Sequence, residues 1–187
     1  MLSLFEIAKK EFENEDDEGK HKLVYAYFGL AIYISQCLEE TLSIMLWTNR
    51  IIKRKVTANN EVNSIIDEIE NSKKTLGNFI NEIKQVYNLN EFEINNLEKV
   101  LEKRNYIAHK YFKVNIYKFT SEYGKLEMIN YLCKFIDDVK LIDHKLQIFY
   151  KDFALKVGLN DSKISKISEE LKIQEIERTK NLNIDDL

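Results

Sequence analysis

The feature that most constrains the fold of this chain is the complete lack of proline over 187 residues. Average usage of about 5% would place roughly nine prolines in a chain of this length. The chain also has only five glycines, so few positions suit tight turns or hairpins. Long helices are therefore the expected structure, and an apolar content of 44% is enough to form a core between them.

Apolar residues that recur at three- and four-residue steps predict where these helices lie. The predicted segments are a short helix over 2–12, an acidic loop over 13–19, a helix from Lys20 to about Arg50, a helical region over 61–86 weakened near Gly77, a helix from Asn90 to about Tyr111, a connector over 112–119, a helix from Thr120 or Ser121 to about Val157, and a tail helix over 162–180. We expect an all-α bundle of about four to five main helices. Residues 1–157 would form the domain, and residues 158–187 an additional C-terminal helix or tail.

The two cysteines and the length of the apolar runs indicate where in the cell the protein is located. Cys37 and Cys133 both fall on apolar helical patterns, so we expect buried, reduced side chains. The uncharged run from Leu23 to Leu38 has sixteen residues, fewer than the roughly 20 that cross a bilayer. The chain opens with no signal-peptide pattern. These observations predict a cytoplasmic protein without a membrane role.

Charge is distributed unevenly along the chain. The net charge is −3, yet residues 99–118 hold five lysines and one arginine against a single acid, Glu102. Such a patch is either a solvated lysine-rich surface or a local attraction for phosphate. In the second case, the residues of the patch that we expect to contact phosphate are Lys103, Lys110 and Lys113.

Within this basic patch, the stretch EKRNYIAHKYF at residues 102–112 combines groups that suit phosphate chemistry. At about 100° per residue, Arg104 falls inside the apolar stripe of its helix. An arginine on such a stripe is costly unless its guanidinium reaches an anion or water, and two explanations compete. It forms either a structural ion pair, with Glu39 as the candidate, or a site for phosphate, which its planar fork binds in a bidentate manner.

His109 is the candidate acid or base of this stretch, because an imidazole titrates near neutral pH. Asn105 lies one turn earlier on the same edge of the helix and can orient the imidazole or a substrate. Three histidines and two distant cysteines give no metal-binding spacing. We therefore predict a site without a metal or another cofactor.

The segment RNYIAHKY resembles the R-x-x-x-x-H-x-Y motif of the HEPN superfamily, and most closely the toxin of HEPN/nucleotidyltransferase toxin–antitoxin pairs. This resemblance implies a helical bundle that forms a homodimer and cleaves RNA without a metal. Arg104, Asn105 and His109 would be catalytic and would line the dimer cleft. Tyr111 would contact RNA or be adenylylated by a nucleotidyltransferase antitoxin, unless it only closes the helix as a partly buried ring. The acidic loop near the amino terminus and the tail beyond Val157 depart from compact toxins of this group.

Three functional hypotheses follow. The first is a HEPN endoribonuclease that acts as a toxin or a phage-defence effector. In it, Arg104 and His109 are about 140° apart on one helix, so a second copy of the helix would complete the site across a symmetry axis. The second is a non-catalytic HEPN-like module that binds RNA or a protein. The third is a helical interaction protein unrelated to HEPN.

Overall fold

A computed structural model describes residues 2–158 and 160–180 of the chain. Over these residues all regular secondary structure is helical, which confirms the all-α prediction. The helices are α1 (Leu4–Asn14), α2 (Asp17–Arg54), α3 (Asn59–Glu70), α4 (Leu76–Val86), α5 (Glu91–Asn115), a 3₁₀ helix (Ile116–Thr120), α6 (Glu122–Leu146), α7 (Ile148–Lys156) and α8 (Asp161–Thr179). The described residues thus contain eight α-helices, more than the four to five main helices and one tail helix that we expected.

The long helix α2 is the centre of the fold, and it contacts α1, α3, α4, α5 and α6. Its apolar residues recur at helical spacing, and Leu38, Leu42 and Met45 are fully buried. Asp16 caps its start by accepting a hydrogen bond from the Gly19 amide. The predicted acidic loop over 13–19 is therefore reduced to Glu15 and Asp16, because its other residues belong to α1 and α2. The end of α2 is marked by Lys55, whose φ of 54° lies in the left-handed region.

The predicted helical region over 61–86 is two helices, because a turn at residues 71–75 separates α3 from α4. Thr75 accepts a hydrogen bond from the Asn78 amide, and the Asn78 side chain accepts one from the Thr75 amide. This reciprocal capping box begins a new helix. The break therefore precedes Gly77, where the sequence indicated it, and it leaves Gly77 in the first turn of α4.

The connector predicted after Tyr111 is also helical. Helix α5 continues to Asn115, and the 3₁₀ helix follows directly. The Asn115 side chain donates one hydrogen bond to the Tyr111 carbonyl and another to the Tyr106 hydroxyl. The prediction of a connector over 112–119 is therefore wrong, because these local hydrogen bonds stabilise helical turns there.

The helix predicted to run to Val157 is interrupted at Gln147, between α6 and α7. At the same place the chain divides into two compact units, of which one ends at Gln147 and the other begins at Ile148. The first unit contains α1 to α6 and the buried core. The second contains α7 and α8, and Asn160 caps α8 by accepting a hydrogen bond from the Lys163 amide. The proposed domain boundary near residue 157 stays a prediction, and residues 181–187 of the predicted tail lie outside the described residues.

The cysteine prediction is half right. Cys133 is buried in the core, whereas Cys37 is only half-buried, and both thiols are free. No helix in the described part of the chain has the length and apolar character needed to cross a membrane. The cytoplasmic location stays a prediction.

Candidate active site

The three residues that sequence reasoning assigned to catalysis line one pocket of about 270 Å³. Arg104, Asn105 and His109 form one side of it, from α5. Helix α4 forms the other side with its first residues, Thr75 to Gly77. The angular separation on α5 therefore does not keep Arg104 and His109 in different pockets of one chain.

The Arg104 guanidinium is held only loosely. Its Nη2 atom lies 3.7 Å from a Glu39 carboxylate oxygen, and its Nη1 donates a long hydrogen bond of 3.4 Å to the Asn105 side-chain oxygen. Its Nε is buried and has no acceptor among the described residues. The Glu39 partner was correctly predicted, but the pair is longer than a bidentate arginine–carboxylate bond of about 2.7–2.9 Å. Arg104 thus retains donors for a further anion.

His109 and Asn105 are exposed to solvent at the rim of this pocket. No hydrogen bond or ion pair holds the His109 ring within the residues that the structure describes. The expected orienting hydrogen bond from Asn105 is therefore not formed, because Asn105 contacts Arg104 instead. An exposed imidazole beside a pocket can accept a proton from a bound ligand or donate one to it.

The start of α4 is the part of the pocket that sequence reasoning missed. Asn78 donates its amide hydrogen to Thr75, so this capping bond satisfies one first-turn donor. The amides of Leu76 and Gly77 precede it and have no acceptor within the helix. Together with the helix dipole, they favour negative charge on this side of the pocket. The TLGN sequence of the capping box indicates the start of a helix. Nothing in it shows that this helix start faces Arg104, Asn105 and His109 across a pocket.

Tyr111 is only 2% exposed, unlike the residues at the pocket rim. Its hydroxyl donates a 2.7 Å hydrogen bond to the Met128 carbonyl, and its ring stacks on Tyr131. Burial, followed by the neighbouring Tyr106 and Tyr131 hydroxyls, raises the pKa of Tyr111. This geometry favours the interpretation of Tyr111 as a buried ring that closes the helix. A role in RNA contact or modification requires the hydroxyl to leave this bond.

The three lysines expected at RNA differ in their availability. Lys103 forms a 2.6 Å ion pair with Asp138 and lies on another pocket, beside Tyr106 and Tyr131. Lys110 and Lys113 are exposed, and neither has an ion-pair partner in the described parts of the chain. Free positive charge near the candidate site therefore comes from Lys110 and Lys113 more than from Lys103.

Comparisons with protein-family models, with curated proteins and with solved structures found no match to this chain. Within residues 2–158 and 160–180, no three His, Cys, Asp or Glu side chains are grouped so that they would hold a metal ion. The assignment of a function consequently depends on the pocket at Arg104 and on the motif that surrounds it.

Proposed function

We propose that this protein is a metal-independent endoribonuclease of the HEPN type that acts as a toxin or a phage-defence effector. The observation that carries the proposal is the loosely held Arg104 guanidinium, whose two Nη contacts are 3.7 Å and 3.4 Å long, in a pocket shared with Asn105 and His109. A guanidinium with such long contacts keeps Nη donors for an anion in the pocket. A phosphate of RNA is the anion that the arginine fork and the motif fit best.

The chemistry uses the nucleophile that RNA carries itself. His109 removes the proton from a ribose 2′-hydroxyl, or protonates the leaving 5′-oxygen, as the attack on phosphorus proceeds. Arg104 stabilises the added negative charge of the phosphorane, assisted by the amides of Leu76 and Gly77. Asn105 positions the phosphate. The products are a 2′,3′-cyclic phosphate and a 5′-hydroxyl.

Binding and regulation belong to the same proposal. Lys110 and Lys113 attract the RNA backbone close to the pocket. A homodimer would place two such pockets around one axis, and a second chain would add groups to each of them. A nucleotidyltransferase antitoxin is the proposed partner, and the cytoplasm the proposed location. If the antitoxin modifies Tyr111, the buried hydroxyl must first become accessible.

The test is cleavage of mixed RNA by the purified protein in EDTA. His109→Ala should reduce the cleavage rate by at least about 100-fold, because an acid–base group is removed, while RNA binding and thermal stability remain close to those of the wild type. His144→Ala is the matched control, since His144 is exposed on α6 and lies outside this pocket. Equal cleavage by His109→Ala and the wild type would contradict the nuclease assignment.

The alternative is a non-catalytic HEPN-like module that binds RNA or a protein. The ion pair between Arg104 and Glu39 favours it, because a partnered arginine contributes to the packing of α5 on α2. This alternative expects RNA binding without cleavage, and binding that His109→Ala does not change.

A further inference from the structure

A group of aromatic rings lies where α2 meets the end of α5 and the 3₁₀ helix. The rings of Tyr25, Phe112 and Phe119 form a triangle whose centroid distances are 5.5, 5.6 and 5.6 Å. His21 stacks on Phe119 at 5.6 Å with an interplanar angle of 9°, and Phe28 lies 4.8 Å from Phe112. We call these five residues the aromatic cluster.

Tyr25 is the member of the aromatic cluster that is most open to solvent. It is 56% exposed, whereas the other four residues are half-buried. A helical side chain covers the turn before its own Cα, so a side chain at position 29 would cover the turn that contains Tyr25. That position is Gly29, which is exposed, and a Cβ there would meet no atom within 4 Å. Open space therefore adjoins Tyr25 on the surface of α2.

The aromatic cluster begins one turn after the candidate acid or base. Phe112 and Lys113 follow His109 on α5 by three and four residues. Residues at these spacings are neighbours on a helix surface, about 5–6 Å apart at Cβ. One strip of α5 thus leads from the Arg104 pocket, past His109, to the aromatic cluster. A polymer with one phosphate at Arg104 can place a neighbouring unit against these rings.

The charges beside the aromatic cluster suit a polyanion. Lys113 is exposed and has no ion-pair partner within the ranges 2–158 and 160–180. The carboxylates of Asp17 and Glu18, one turn before His21, are each paired with a lysine. The unpaired charge that adjoins the cluster on α5 is therefore positive, and it complements the phosphates of a nucleic acid.

We propose that the aromatic cluster stacks a base of the RNA next to the cleaved phosphate and so holds a single strand across the active site. The inference rests on the proposed nuclease function, and it names the kind of RNA that this site accepts. Aromatic rings stack on any base, because every base has a π face. A base inside a duplex is already stacked on its neighbours, so this surface selects single strands. Lys113 contacts the backbone of the same strand.

The test measures binding of an RNA that cannot be cleaved. A single-stranded oligonucleotide with 2′-O-methyl groups lacks the nucleophile, and fluorescence anisotropy measures its affinity. Tyr25→Ala should weaken binding about five- to 100-fold, as the loss of one stacked base does, and Tyr25→Phe should keep the wild-type affinity. The matched control is Tyr123→Ala, which removes an exposed tyrosine of α6 outside the cluster and should also keep it. The same oligonucleotide in a duplex should bind equally to the wild type and to Tyr25→Ala.

Further measurements separate stacking from charge and from folding. Gly29→Leu keeps Tyr25 but fills the open space beside it, so it should weaken binding at least about fivefold without loss of thermal stability. Lys113→Gln should reduce the slope of log affinity against log salt by about 0.7, whereas Tyr25→Ala should leave this slope unchanged. Photocrosslinking of the wild type with 4-thiouridine in the oligonucleotide, mapped by mass spectrometry, should modify the aromatic cluster. This last measurement needs no variant.

The outcomes distinguish this inference from the nuclease proposal. Equal affinity of the wild type and Tyr25→Ala for the single strand, or crosslinks confined to residues outside the cluster, would overturn the inference. A dimer that dissociates in Tyr25→Ala with unchanged RNA affinity would also overturn it, since a second copy of the chain would then occupy this surface. Cleavage through His109 with a KM that does not depend on Tyr25 overturns the stacking surface alone. Binding through Tyr25 without cleavage overturns the nuclease alone, and a wild-type protein that binds no single strand overturns both.

Discussion

The Arg104 guanidinium and the Glu39 carboxylate form a 3.7 Å ion pair, and each residue lines a different pocket. About a quarter of each side chain is exposed, so water screens the pair. A pair of this kind contributes at most about 1 kcal/mol to the free energy of unfolding. Its main effect is therefore on the charge that Arg104 presents to its pocket.

Glu39→Gln should consequently strengthen RNA binding without unfolding the protein. The change removes the carboxylate that competes with phosphate for Arg104, and the measured worth of exposed ion pairs corresponds to about two- to fivefold tighter binding. Filter binding with a short RNA measures the change in affinity. Glu13→Gln controls for the change in net charge. Weaker binding by Glu39→Gln would mean that Glu39 positions Arg104 and does not compete for it.

Gly124→Ala tests the packing of α6 against the 3₁₀ helix that follows α5. A Cβ at Gly124 would overlap the Lys118 carbonyl oxygen and lie 2.8 Å from the Lys118 Cα, so the backbone must move. Overpacking of this kind typically costs about 1–3 kcal/mol. Urea denaturation should show that loss.

Gly29→Ala is the matched control in α2, where a Cβ meets no atom within 4 Å. The control should be neutral or stabilising by about 0.5–1 kcal/mol. Equal stability of the two variants would contradict the packing argument.

Much of the candidate site could be predicted from the sequence, because most of its residues lie on one helix. Periodicity placed Arg104 on the apolar stripe, and Glu39 was the candidate partner in one of the two readings of that position. The structure has the ion pair with Glu39, although Arg104 is only half-buried. The contribution of α4 was not accessible, since it depends on where the turn at residues 71–75 directs the next helix. The interruption at Gln147 has no proline or glycine to announce it. Local patterns thus identify the groups on a helix, whereas the wall opposite them is determined by tertiary packing.

Tyr111→Phe should destabilise the protein, because the Met128 carbonyl loses a buried hydrogen bond. Leaving a buried acceptor without a partner costs about 1–3 kcal/mol. Thermal denaturation measures this loss, with Tyr117→Phe as the control, since Tyr117 is 65% exposed. RNA cleavage should persist at temperatures where the variant is folded. Mass spectrometry after co-expression with a nucleotidyltransferase then tests modification, and a nucleotide found on Tyr111 would show that this region opens.

Cys133 should make stability fall at alkaline pH. Burial, followed by the nearby Asp137 and Glu11, raises the pKa of the Cys133 thiol from 9.0 to about 12. Between these values the unfolded chain loses the thiol proton and the folded chain keeps it. The unfolded state then binds fewer protons, so the free energy of unfolding is unaffected below about pH 9 and decreases above it.

A thiol-reactive dye provides the measurement for Cys133. At pH 8 the folded protein should react at Cys37, which is half-buried, and the second thiol should react only in denaturant. Cys37→Ser should leave no thiol that reacts rapidly in the folded protein. Fast reaction of both thiols without denaturant would mean that the core around Cys133 opens readily. Urea denaturation from pH 8 to pH 11 measures the pH dependence itself, and Cys133→Ala should make the decrease less steep.

Arg104→Lys separates charge from geometry at the candidate site. Lysine keeps the positive charge but loses the planar fork and the buried Nε donor. Because the charge remains, RNA binding should change by less than about fivefold. The cleavage rate should fall at least about 100-fold, as when one transition-state donor is removed. Arg104→Ala should lose both binding and cleavage. Single-turnover cleavage and filter binding on the same RNA measure the two effects. Arg54→Lys, at an exposed position at the end of α2, is the matched control and should behave as the wild type. Wild-type cleavage by Arg104→Lys would mean that Arg104 acts only as a charge. The phosphorane would then be stabilised by other groups of the pocket, such as the first-turn amides of α4.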